Sequence, residues 1–107
     1  MIQVVYHREY HRVAVSGHAN SGEFGHDLVC AACSAIAVTL GENVEAMKRS
    51  GHIRTGTVSY EHGAALVTCT PASCYNKIVT VIFDAICMGF DRLAKEYPDY
   101  ITYEVRG

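Results

Sequence analysis

His18 and Cys30 stand twelve positions apart, on either side of a segment that carries Gly22 and Gly25. A thiol and an imidazole are the pair that covalent catalysis needs, one as the nucleophile and the other to take its proton. The segment 17–34 reads GHANSGEFGHDLVCAACS, and Asp27 has the side chain and the place to cap a following helix. With Asp27 as N-cap, Leu28, Val29 and Cys30 are the first helical residues. Cys30 then lies among unpaired backbone N–H groups at the positive end of the macrodipole, where thiolate is favoured over thiol. His18, at the end of the preceding apolar stretch, faces Cys30 if the loop 19–26 folds back. Gly17, Gly22 and Gly25 make that loop a candidate hinge able to close over a substrate, with Phe24 as an apolar contact within it.

The same residues admit other chemistry. A free cysteine in a first helical turn is often a small buried hydrophobe. Cys30-Ala31-Ala32-Cys33 has the C-x-x-C spacing of redox proteins and of half a zinc site. Redox motifs of that spacing follow a strand in a βαβ unit, and no second C-x-x-C or H-x3-H exists to complete a zinc site that draws on His18 and His26. Asp27 has a sufficient role as a cap, worth about 1 kcal/mol. Ser34, one turn beyond Cys30, is expected to be packed or bonded to a preceding carbonyl. His7, His11, His52 and His62 fall at predicted turns and need no role.

The elements that must position this pair follow from periodicity. Residues 2–6 and 12–16 are short and valine-rich, separated by polar Arg8-Glu9, and read as an antiparallel hairpin whose exit delivers His18. From Asp27 to about residue 49, Val29, Ile36, Leu40, Val44 and Met47 recur at helical spacing, and Ser50-Gly51 supplies the stop. Residues 55–60 and 65–70 flank a turn at Glu61-His62-Gly63-Ala64. A second helix, capped by Ser73 or a neighbour, runs from about residue 75 to 96 before Pro98, and residues 100–105 alternate as a last strand. The order is ββαββαβ: an α+β single domain, residues 1–107, with two helices on a mixed sheet.

The second helix carries one apolar stripe at Ile78, Ile82, Ile86 and Leu93 and another at Val79, Phe83, Cys87 and Phe90. Two stripes are more than one small sheet face covers, which predicts a helix-mediated homodimer with Phe83 and Phe90 in its interface.

Composition bounds the function. A net charge of −2 with no Lys/Arg cluster argues against direct nucleic-acid binding. No uninterrupted apolar stretch of roughly 18 residues and no signal-like start point to a membrane or to export. Five cysteines, an odd number, read as free thiols in a cytoplasmic protein.

Gly17-His18-Ala19, the glycine-bearing loop, and Asp27-Leu28-Val29-Cys30-Ala31-Ala32 with Ser34 resemble the ribosomal-processing cysteine proteases of bacteria that carry an N-terminally extended form of large-subunit ribosomal protein twenty-seven. The likeness extends over the whole chain in length and element order, and its specificity lies in the two motifs and their spacing. It implies a homodimeric endopeptidase without metal or cofactor. Cys30 is its nucleophile and His18 its base, and a short hydrophobic extension is removed from a ribosomal protein precursor for ribosome assembly. Asp27 is then limited to capping and local electrostatics. The family pattern leads one to expect an apolar residue such as valine at 33, where this chain has cysteine, which packs similarly. Two other classes stand beside this reading: a non-catalytic ribosome-associated binding module, and a metal- or redox-responsive protein using Cys30 and Cys33.

Overall fold

The computed structural model describes residues 1–17, 24–61 and 63–107, the side chains of 24–27 excepted. Strand β1 (Ile2–His7) passes through a 3₁₀ turn (Arg8–Tyr10) into β2 (Arg12–Ser16). Helix α1 (Phe24–Ser50), strands β3 (Ile53–Glu61) and β4 (Ala64–Pro71), helix α2 (Asn76–Glu96) and strand β5 (Ile101–Arg106) follow. The expected ββαββαβ order is what forms. The five strands make one mixed sheet in the order β3-β4-β2-β1-β5, with β1 and β5 parallel and every other neighbouring pair antiparallel.

Register puts the apolar alternation on one face. Val4 pairs with Val15 and with Tyr103, Tyr6 with Val13, and Val13 with Val67, which in turn faces Val58. These side chains meet Val29, Cys33, Leu40, Val44 and Met47 of α1 and Val79, Phe83, Cys87 and Phe90 of α2 in a single buried core. Gly56 lets α1 approach the sheet, because a side chain there would collide with Val44.

Two expectations change at the helices. Val79, Phe83, Cys87 and Phe90 are at most 1% exposed, so that stripe is covered within the monomer. Phe83 and Phe90 belong to the monomer's own core and not to an interface. Ile82, Ile86 and Leu93 pack partly against the same core, and the apolar side chains α2 leaves outside are Ile78, Val81 and Met88, 49–69% exposed. Less of α2 needs a partner than its two stripes suggest, because α1, which approaches Gly89 of α2 through Ile36, shares the covering. Ser73 also does not cap α2: Tyr75 holds the N-cap position with no side-chain cap bond.

Helix α1 corrects another reading. Leu28–Ser50 is long and apolar enough to cross a bilayer by length and composition, with mean hydropathy 1.4, a property the search for an unbroken apolar run missed because Glu42 and Glu45 interrupt it. Its stripe Val29, Cys33, Ala37, Leu40, Val44 and Met47 is buried against the rest of the chain, which is how a core helix uses such a composition.

Polar interactions stabilise the end of the sheet where β1 turns into β2. The buried Tyr6 hydroxyl donates to Asp84 Oδ1 at 2.8 Å, and Arg8 grips the same carboxylate with Nε and Nη2 at 3.0–3.2 Å. The guanidinium holds the Asp84 carboxyl below its usual range. His11, expected to be an idle turn residue, is 3% exposed and left-handed at φ 50°. Its Nε2 lies 2.7 Å from Thr80 Oγ1, whose own proton goes to the Asn76 carbonyl at 2.8 Å, so the imidazole is the donor. Partners 69 residues apart leave no local signal.

Burial lowers the pKa of His11 below its ordinary 6.5, with Asp84 opposing and Arg8 reinforcing the shift. The folded state therefore binds fewer protons than the unfolded one. The stabilisation is complete above about pH 6.5 and is lost as pH falls below it, a window separate from that of Asp84, which lies below its ordinary 3.8. The expected result is a melting temperature that drops between pH 7 and 5 in the native protein and drops less in His11→Asn, since asparagine tolerates the left-handed backbone. Equal pH slopes in the two proteins would contradict this.

Candidate active site

Helix α1 has a known direction over the sheet. A side chain at Gly41 would meet Tyr60 and Val58, one at Gly56 would meet Val44, and the Tyr60 hydroxyl donates to the Ala37 carbonyl at 3.5 Å. Moving toward lower numbers along α1 thus advances toward Glu61, the end of β3 where the turn leads to Ala64, and Ala64 pairs with Ser16. Cys30, seven residues before Ala37, lies about 10 Å farther along at a 1.5 Å rise per residue. The amino-terminal part of α1 and the exit of β2 therefore share one end of the molecule.

At that exit Gly17 adopts φ +109° and donates its N–H to the Gly63 carbonyl at 3.1 Å. His18 is the next residue in the chain and lies outside the described residues, as do residues 19–23, Gly22 among them, and the expected closure of that segment.

Cys30 is half-buried and packs against the core; Cys33 is 4% exposed. Burial, with Cys30 close by, pushes the Cys33 thiol up to about 12. At neutral pH Cys33 is a protonated, enclosed thiol with no access to substrate, which separates the two cysteines that sequence spacing left equivalent. All five cysteines are free. Among the described residues no three His, Cys, Asp or Glu side chains converge as metal ligands; His26 and the side chains of Phe24 and Asp27 are not among them.

The helix start differs from the expected one. Helix α1 begins at Phe24, so Asp27 is not its N-cap but its fourth residue, and Phe24, Gly25 and His26 form its first turn rather than loop. Gly25 was misleading because glycine's helix penalty applies to interiors, whereas first-turn amides lack intrahelical partners in any case. Cys30 moves into the second turn, beyond the unpaired amides of 24–27, where the macrodipole effect has largely decayed. Ser34 is exposed and, among the described residues, makes no hydrogen bond through its hydroxyl, contrary to the packed or carbonyl-bonded side chain expected.

A cavity of about 390 Å³ lined by Arg8, Glu9, His11, Asn76, Thr80 and Gly107 lies at the opposite end of the sheet, by the 3₁₀ turn. It does not include Cys30.

The family model for the cysteine protease Prp matches residues 1–102. No curated protein sequence matches the chain. Among solved structures, SMU.848 from Streptococcus mutans is similar with 26% identity and a TM-score of 0.69, over 99% of this chain and 94% of that one. The ribosomal processing protease Prp of Staphylococcus aureus, solved with a substrate peptide, shares the fold at 22% identity and a TM-score of 0.70, over 98% and 97% of the two chains. The same protease with a covalently linked product peptide gives 23% identity and a TM-score of 0.68, at the same coverage.

Proposed function

The chain belongs to the cysteine protease Prp family, and from that membership we propose that Cys30 is the nucleophile and His18 the base of an endopeptidase that matures a ribosomal protein. His18 takes the Cys30 proton, the thiolate attacks the scissile carbonyl, and the amine leaves with a proton to give a thioester that water hydrolyses. The oxyanion is held by backbone N–H groups at the start of α1 or in the segment before it. The observation that carries the assignment is the contrast between the two thiols: Cys33 is buried and held protonated, while Cys30 stands half-open at the sheet end where the chain emerges from β2 toward His18.

The substrate is an extended hydrophobic peptide, the N-terminal extension of large-subunit ribosomal protein twenty-seven, bound against residues that include Phe24. In support, a similar fold binds a substrate peptide in the S. aureus ribosomal processing protease. The proposed setting is the cytoplasm, consistent with five free thiols, with no direct contact to nucleic acid or membrane. Incubation of the precursor ribosomal protein with the purified chain, followed by intact mass measurement, should show loss of the extension at one bond. A precursor left uncleaved by unlabelled protein, when a parallel aliquot of the same sample shows a fully reactive Cys30 thiol, would reject the substrate.

A homodimer through α2 is also proposed, now on Ile78, Val81 and Met88. Analytical ultracentrifugation at about 20 μM, above the range of ordinary dimer affinities, should give a dimer. Val81→Asp should give a folded monomer, since that side chain touches solvent in the monomer, with a melting temperature lowered only by the lost contribution of association. A monomeric wild type rejects the interface.

A further inference from the structure

We infer that the cavity between the 3₁₀ turn and the start of α2 is a binding site for a small zwitterion of the α-amino acid class, its carboxylate held by Arg8 and Asn76 and its ammonium by Glu9 and His11. Cys30 has no part in that wall, so the inference stands apart from the peptidase reading and goes beyond it.

The cavity, about 390 Å³, has the volume of a small-molecule site. What selects the ligand is which polar groups on its wall are already spent. Thr80 is spent: its hydroxyl lies 2.7 Å from His11 Nε2, from which it accepts, and donates to the Asn76 carbonyl at 2.8 Å. Because the imidazole proton is on Nε2, Nδ1 of His11 is an acceptor, and it has no hydrogen-bond partner among the described residues. A side chain 3% exposed has almost no contact with bulk water, and a buried acceptor left unpaired is costly. Burial keeps the ring neutral at pH 7, so the acceptor persists there. Arg8 binds Asp84 through Nε and Nη2, which leaves Nη1 a donor with no partner among the described residues. The side-chain amide of Asn76 and the carboxylate of Glu9 likewise make no hydrogen bond or ion pair among them.

The unspent groups are thus two donors and two acceptors on one wall. Asp84, at 3.0 Å, neutralises the guanidinium of Arg8, and Glu9 adds a negative charge that is unpaired. An anion alone would meet Glu9 beside its donors, and a cation alone would leave the donors of Arg8 and Asn76 unanswered. A carboxylate and an ammonium on one small molecule answer both sets. The three N–H groups of the ammonium can serve Glu9 and His11 Nδ1 together.

The test uses the full chain, ¹⁵N-labelled, with L-alanine and L-glutamine as probes and with propionate and ethylamine as the two halves of alanine. Backbone amide shifts and the ring nitrogens of His11 are followed near neutral pH. Either probe should shift Arg8, Glu9, Asn76 and Thr80 and move His11 Nδ1 upfield as its lone pair takes a donor, and both halves should bind at least about tenfold more weakly than alanine. Glu9→Gln and Asn76→Ala, at exposed positions, should keep the native fold by circular dichroism. Glu9→Gln should weaken alanine binding roughly tenfold and Asn76→Ala by a smaller factor, while Glu42→Gln, an exposed carboxylate on α1, should leave it unchanged.

Silence of both probes at about 20 mM, or shifts confined to residues outside the cavity wall, overturns the inference. Propionate or ethylamine binding as tightly as L-alanine also overturns it, by making the cavity a plain anion or amine site, and so does a Glu9→Gln chain that binds like the native one. Cleavage is read at no step, so failure of the peptidase reading would leave every one of these outcomes unchanged.

Discussion

Cys30→Ala should abolish cleavage, lowering kcat by at least about 10³-fold, the scale on which removal of a covalent nucleophile acts. Cys33→Ala should leave the rate within about twofold and cost on the order of 1 kcal/mol of stability. The two side chains sit one helical turn apart on the same face of α1, yet their surroundings divide them. Cys33 is sealed in the core, where burial pushes its thiol up to about 12, so it stays protonated at pH 7. Cys30 retains access to solvent. The small side chain of alanine at 30 keeps the helix intact, so lost activity will not reflect lost fold. Iodoacetamide labelling followed by mass spectrometry gives an independent reading, best made in a Cys74→Ser background because Cys74 is also exposed. Cys30 should be modified and Cys33 should not. A Cys30→Ala chain that cleaves at the native rate would end the assignment.

The second large effect lies in the core. Phe83→Ala should cost about 3–5 kcal/mol, a large part of the 5–15 kcal/mol that such a domain possesses, and lower the melting temperature by roughly 15 °C or more. Phe83 is fully enclosed, stacked on Tyr6 at 6.1 Å and met edge-on by His11 at 5.6 Å. No part of it reaches the surface, so Phe83→Asp should yield no folded protein rather than a folded monomer. Thermal unfolding followed by circular dichroism checks both, with Lys77→Ala, an exposed position on the same helix, as the surface control. A Phe83→Ala protein melting with the wild type would show that the core is not built as described.

The amino-acid pattern made the elements legible because each is encoded locally. Valine alternation marked β1 and β2, the Glu61-His62-Gly63-Ala64 turn marked the second hairpin, and Pro98 ended the reach of α2. Strand order was not legible, since nothing near residues 2–7 says that they lie between β2 and a strand a hundred residues later. The same limit hid the role of His11, whose partner is on α2. At the candidate site, the pairing of motifs around His18 and Cys30 was readable, while the start of α1 was not. Asp27 satisfies the chemistry of a cap as well as that of a first-turn acid, and only the backbone distinguishes the two. Cys30 and Cys33 were likewise equivalent until burial separated them.

The parallel pairing of β1 with β5 has a consequence for how the protein is made. Ile2 pairs with Ile101 and His7 with Arg106, so the first strand gains its second neighbour only when the last has been synthesised. Contacts that span nearly the whole chain carry a high loop-closure cost and slow folding. Until residue 106 is free, β1 presents an open edge of alternating apolar residues, the kind of surface that recruits strands from other chains. A polypeptide stalled or truncated before β5 is therefore expected to be an aggregation hazard.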